Sequence, residues 1–346
     1  MRFSIRMLLV IILLQIQLKE PAQAQSATYD GYLFAYFEGD GTPALQEQLR
    51  FAVSHDAQHW YALHNNQPIL NSSDISSTGG IRDPHILRGA QEDGFYLTCT
   101  DMNTVKNGWE TNPGIVLLHS NDLISWKSSI IDLAKLYPKE FGSVKWVWAP
   151  QTIYDPSVGK YMVYFTVRKY ENEKLDFYYA YANADFSGLE EMPKLLFAPT
   201  YGGIDGDIIF EDGVYHFFYK GNTKDSLGKE FENGIKKATS YSLLGPWKEE
   251  PRYLDVYANT KTSVEGSSIF KLNNADEYYL MYDLYTSGKY AFQRSRDLVN
   301  FSENAEFFEK NFHPRHGSVI SIYQAEAARL SAKWSGVPDE LLKNTY

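Results

Sequence analysis

Acidic side chains stand at the head of repeated apolar stretches in this sequence. They read RDPHIL from Arg82, DGDIIF from Asp205 and EGSSIF from Glu265. WAPQTI from Trp148 and HGSVIS from His316 belong to the same set, with successive starts 51 to 66 residues apart. If each stretch is the innermost strand of one sheet in a ring, then Asp83, Trp148, Asp205, Glu265 and His316 converge at one mouth of a central channel. Carboxylates facing one another across a pocket suit glycoside hydrolysis: one protonates the leaving oxygen, and another stays ionised and activates water. A third carboxylate nearby raises the pKa of the acid by like-charge repulsion. Taken singly, each residue has a plainer reading. Asp83 before Pro84 and Asp205 in GGIDGD are turn-like contexts, and Asp207 rivals Asp205. Glu265 fits a solvated loop and His316 a satisfied core histidine. Their common phase in a repeat is what favours chemistry.

The elements that must position these residues also repeat. After a turn, each of the first four stretches is followed by an aromatic, β-rich segment: GFYLTCT from Gly94, GKYMVYFT from Gly159, GVYHFFYK from Gly213 and EYYLMYD from Glu277. A third strand follows, ending in three places at a Ser-x-Asp corner closed by an aromatic residue. SHDAQHW (54–60), SNDLISW (120–126) and SRDLVNF (295–301) are its copies. The fifth stretch, HGSVIS, lacks these companions. They lie at the other end of the chain, as DGYLFAYFEG from Asp30 and LRFAVSHDAQHW from Leu49. The pattern predicts an all-β, five-bladed β-propeller whose last blade is shared by strands from both ends. A β-sandwich explains short strands, but not five matched cycles with one split. The segment YQAEAARLSAKW (323–334) has helical composition and is expected to pack outside the blades.

Residues 1–24 have the form of a signal peptide: Arg2 and Arg6, the apolar run MLLVIILL, then Ala22-Gln23-Ala24. A single domain is expected over 25–346. The chain has a formal net charge of −10. The leader carries Arg2, Arg6, Lys19 and Glu20, a net +2, so its loss leaves about −12. Acidity without a basic stripe argues against nucleic acid and anionic membranes. No later apolar run approaches membrane-spanning length. Cys99 is the only cysteine, so no intramolecular disulfide forms. A periplasmic or secreted bacterial protein, acting as a monomer, is expected.

The chain resembles glycoside hydrolase family 43 and its five-bladed relatives. The resemblance is carried, in order, by the Asp-Pro of RDPHI, the WAP of WVWAPQ, the Asp of GGIDGDIIFEDG, the Glu-Gly of VEGSSIF and the His of RHGSV. It implies Asp83 as general base, Asp205 as the residue that tunes and orients the acid, Glu265 as general acid, and inversion of configuration. It places His316 on the channel axis, where many members hold a calcium ion or a water cluster; no cofactor is otherwise required. Gly206 and Ser267 depart from the family, which usually has proline at both positions. Trp148 is the expected sugar-stacking residue, with Trp146 packed behind it. Gln151, Arg82 and Arg294 are candidates for hydrogen bonds to sugar hydroxyls. His55, His59 and His119 have no metal-ligand spacing. The expected substrate is an oligo- or polysaccharide. The expected activity is an exo-glycosidase on plant cell-wall glycans, first an α-L-arabinofuranosidase, with β-xylosidase and exo-β-galactosidase as alternatives. A non-catalytic carbohydrate-binding propeller and a protein scaffold are the readings from other classes.

Overall fold

Five sheets, antiparallel but for one short edge strand, form around one axis in a computed structural model of the chain, which describes residues 28–39, 41–90, 93–224, 230–254 and 263–343. The expected leader and its cleavage site lie outside the described residues. Blade 1 runs from the channel outward as Ile81–Arg88, Phe95–Asp101, Gly114–Ser120 and Lys127–Asp132. Blade 2 is Val144–Asp155, Lys160–Lys169, Asn172–Tyr181 and Lys194–Phe197. Blade 3 is Gly203–Glu211, Val214–Lys224, Glu230–Ser240 and Lys248–Glu249. Blade 4 is Glu265–Lys271, Tyr278–Leu284, Lys289–Ser295 and Glu306–Phe307.

Blade 5 closes the ring with strands from both ends, as the split repeat predicts. Its innermost strand, Arg315–Ile322, pairs with Gly31–Phe37 in a register that sets Leu33 opposite Ile320. Arg50–Ser54 and His59–Ala62 follow outward. Glu309–Lys310 then adds a short parallel strand to the outer edge, which the sequence pattern did not signal. The helix Gln324–Lys333 lies against the seam with blade 1. Its Ala327 and Leu330 join Leu33, Ile322 and Ile86 in one buried cluster, and Glu326 receives two hydrogen bonds from Arg88 at 2.8 and 2.6 Å.

The repeated corner has one physical design. In SNDLISW the Asp122 carboxylate accepts the amides of Ile124 and Ser125 at 2.8 and 2.7 Å, and Leu123 adopts φ 67°. The Trp126 indole donates to the Leu123 carbonyl, and its ring meets Phe51 of blade 5 edge-on. Asp56 and Asp297 make the same pair of amide contacts at 58 and 59 and at 299 and 300. The corner thus ends the third strand and sends the chain toward the fourth.

A second repeated device sits at the channel. Every innermost strand carries a bulge, between Arg82 and His85, Trp148 and Gln151, Ile204 and Asp207, Glu265 and Ser268, and Arg315 and Ser318. Asp83, Ala149, Asp205 and Gly266 occupy it with φ of 51°, 46°, 55° and 67°. Short polar residues and glycine tolerate this left-handed backbone best. At Gly266 there is a second reason: an added Cβ would lie 2.8 Å from that of His316. The bulges correct the sequence alignment. Asp83, Asp205 and His316 share one phase, whereas Glu265 and Trp148 share the preceding phase with Arg82 and Arg315. A polar residue before an apolar run does not reveal on which side of a bulge it falls.

Phe34 is 1% exposed and packs against Trp60, Tyr290 and Phe312, so it joins blade 4 to the closing blade. Phe34→Ala is expected to lower the unfolding free energy by about 3–5 kcal/mol. Urea denaturation checks this, and a loss below about 1 kcal/mol would mean that the seam contributes little.

Candidate active site

Asp83, Asp205 and Glu265 line one pocket, together with Arg82, Trp148 and Trp109. Each carboxylate sits at a bulge and is fixed by contacts from its own or a neighbouring blade. Asp83 accepts a 2.8 Å hydrogen bond from the Thr100 hydroxyl, which in turn accepts the amide of Ala149 in blade 2. Asp205 accepts the amide of Gly266 at 2.8 Å, and the Ser267 hydroxyl donates to the Asp205 carbonyl at 2.6 Å. Ser267, where the resembling family usually has proline, therefore clamps blade 4 to blade 3.

His316 stands between two of the acids. Its Nδ1 lies 3.5 Å from Asp83 and 3.6 Å from Asp205. Burial opposes its charge, but Asp205 and Asp83 outweigh burial and push the imidazole up to about 9. Burial alone would raise Asp83; the close approach and charge of His316, with Arg82 and the Thr100 hydrogen bond, instead hold it below the ordinary carboxylate range. Asp205 goes the other way. Burial, reinforced by Glu265 and Asp83, lifts it to about 6 against the opposing pull of His316.

Glu265 is gripped by two cations that the motif reading missed. Arg315 donates to one carboxylate oxygen at 2.6 Å, and Lys220 to the other at 3.3 Å. Burial favours the neutral acid here, but Lys220, Arg315 and Arg82 outweigh it and hold Glu265 below its usual range. Burial, with like-charge repulsion added, thus raises Asp205, whereas the cations around Glu265 outweigh both effects there. Arg315 also donates to Asp283 at 2.5 Å. Burial, with some help from Glu265, raises the Asp283 carboxyl to about 7 despite this arginine.

These partners had a visible signal. Thr100, Thr166, Lys220 and Asp283 each pair with the residue just before a bulge. They are the last residues of the four aromatic segments, where a polar side chain ends an apolar strand. Arg315 directly precedes the His of RHGSV.

The remaining candidates separate by position. Trp148 faces the pocket, held by a 2.8 Å hydrogen bond from its indole to Asn112 and stacked at 4.2 Å on Trp146. Trp146 is flanked by Lys145 and Arg168, consistent with packing. Arg82 lines the pocket and is paired to Glu47 at 2.8 Å. Gln151 is not at the mouth. It lies past the bulge, 1% exposed, and accepts the Tyr164 hydroxyl at 3.0 Å. Asp207 occupies the same deeper layer and accepts the amide of Ile269, which leaves Asp205 as the pocket residue. Arg294 is on the third strand of blade 4, tied to Glu306 and Glu277, and does not reach the site.

Calcium takes six to eight oxygen ligands. His316 offers one imidazole, whose Nδ1 faces two carboxylates. Among the described residues no group of three His, Cys, Asp or Glu side chains forms a metal-holding cluster. Among the described residues, the side chains around His316 do not by themselves make up such a set.

This fold and this pocket accompany matches to glycoside hydrolases. A family 43-related model, described as a probable glycosyl hydrolase domain, matches residues 27–328. The chain belongs to that family. A curated relative, an α-L-arabinofuranosidase of Bifidobacterium longum subsp. longum, is 24% identical over 291 residues. That match spans 76% of this chain but only 27% of the relative. Among solved structures, an endo-arabinase from Bacteroides thetaiotaomicron is 18% identical, with TM-score 0.53, over 86% of this chain and 95% of its own. An exo-β-1,3-galactanase from Phanerochaete chrysosporium is 11% identical, with TM-score 0.53, over 74% and 54%. At these identities the structures share the propeller fold.

The position of His316 has a consequence for stability. Its folded pKa of about 9 exceeds the unfolded value near 6.5. Its charge therefore stabilises fully below about pH 6.5 and is lost as pH rises through 9. Unfolding free energies of the protein and a His316→Gln variant are expected to differ most near pH 6 and to converge by pH 9.5. A difference constant across that window would show that folding does not raise the imidazole pKa.

Proposed function

We propose that this chain is an exported, exo-acting and inverting glycosidase that removes terminal sugars from plant cell-wall glycans, α-L-arabinofuranosides first among them. The observation that carries this reading is the convergence of Asp83, Asp205 and Glu265 on one pocket walled by tryptophan. The arabinofuranosidase relative supports the choice of sugar. Xylosides and galactosides are the alternatives, and a screen of the three 4-nitrophenyl glycosides ranks them. Inactivity on all three would favour a carbohydrate-binding role.

In this mechanism Asp83, kept ionised beside His316, takes a proton from water as that water attacks the anomeric carbon. Glu265 gives its proton to the departing oxygen. Asp205 orients the amide of Gly266 and bears on Glu265 through its charge. Lys220 and Arg315 favour the ionised form of Glu265, so substrate must displace one of these contacts before Glu265 can carry a proton. A second reading has Asp205 as the donor, and its elevated carboxyl favours it. In that case activity falls as pH rises through about 6, and Asp205→Asn removes that limb.

Glu265→Gln is expected to leave the fold intact and to slow substrates with poor leaving groups by roughly 10²–10⁴-fold. A substrate whose leaving group needs no proton should lose far less. Equal losses on both would transfer the role of donor away from Glu265. For Asp83, proton NMR of the earliest product is expected to show the anomeric configuration opposite to that of the substrate. Retention would require a covalent sugar intermediate and a nucleophile in place of a base.

A further inference from the structure

Trp109 is 59% exposed at the mouth of the pocket, yet its surroundings hold it in place. It follows the short helix Thr104–Asn107, whose first amide and first hydroxyl both donate to Glu47. Glu47 is 1% exposed and also receives Arg82 at 2.8 Å. The Arg82 guanidinium lies 5.1 Å from the Trp109 ring centroid and 4.7 Å from that of Phe37. Trp148 meets Trp109 edge-on at 6.1 Å and 75°. A buried carboxylate thus organises both the helix before an exposed indole and the cation stacked on it. Two residues later, the Thr111 hydroxyl is hydrogen-bonded to that of Tyr170, itself 61% exposed.

An isolated exposed aromatic needs no explanation. One that lines the pocket, with its support built from buried charge, is a preorganised apolar surface. Sugar rings present one apolar face to such surfaces, and prior ordering reduces the entropic cost of binding. We propose that Trp109 is the platform for a second sugar of the substrate chain, adjoining the sugar held among the carboxylates, with Tyr170 on the same rim further out. The substrate class is then an oligo- or polysaccharide rather than a simple glycoside, which rests on the glycosidase reading above. Glu47 and Arg82 act as positioning residues for this platform.

Calorimetric binding of arabino-oligosaccharides of one to four units tests this. Measurements are made in the Glu265→Gln background, so that hydrolysis does not intervene. Xylo- and β-1,3-galacto-oligosaccharides serve as parallel series. Affinity is expected to rise from one unit to two. Trp109→Ala is expected to remove roughly ten-fold of that gain, and Trp109→Phe to keep most of it. Equal losses for one and two units would place Trp109 in the single-sugar pocket and overturn the proposal. So would no loss at any length, or no binding in any series. Length-dependent binding by a protein that hydrolyses none of these glycans would instead uphold the platform and defeat the glycosidase mechanism.

Discussion

Arg315 and His316 reach the channel because Arg315–Ile322 hydrogen-bonds to Gly31–Phe37, joining residues nearly three hundred positions apart. That ladder closes the ring, and the site depends on it. Without it Asp83 and Asp205 lose the imidazolium between them, and Glu265 loses one of its two cations. Closure also leaves no open inner edge and buries Leu33 and Ile322 under the helix Gln324–Lys333. The loop-closure cost of so distant a pairing grows only slowly with length, and the five inter-blade clusters offset it.

The centre is then a problem of buried charge. Asp83, Asp205, Glu265 and Asp283 face His316, Lys220 and Arg315 in a largely buried region. Removing one partner from such a set leaves an uncompensated buried charge, so the members depend on one another. The arrangement separates the acids by environment. Asp83 and Glu265 are held ionised by adjacent cations, while Asp205 and Asp283 are raised toward neutrality by burial. Groups of one chemical type driven in opposite directions are what acid–base chemistry near neutral pH requires. The bulges make this possible, because each turns two successive residues of a strand toward the axis side of the sheet.

Much of the architecture is legible in the sequence. Strand periodicity, the Ser-x-Asp corners and the displaced fifth cycle are local patterns, and each recurs because every blade solves the same packing problem. Asp83, Asp205, Glu265, Trp148 and His316 were legible for the same reason, since repetition places equivalent strand starts at the same mouth. Gln151 and Arg294 were misplaced because one-dimensional proximity does not separate layers along the channel or strands across a blade.

The sequence by itself determined that there are five sheets, that both ends share one of them, and that Asp83, Asp205 and Glu265 face the channel. These follow from patterns written within some sixty residues of chain. Only the tertiary structure decided which charges meet. The pairing of Lys220 and Arg315 with Glu265, the support of Trp109 by Glu47 and Arg82, and the rise of Asp205 in place of Glu265 all join different blades. Such contacts depend on angstrom-scale separations and on the exclusion of water, and neither has a local signature in the order of residues.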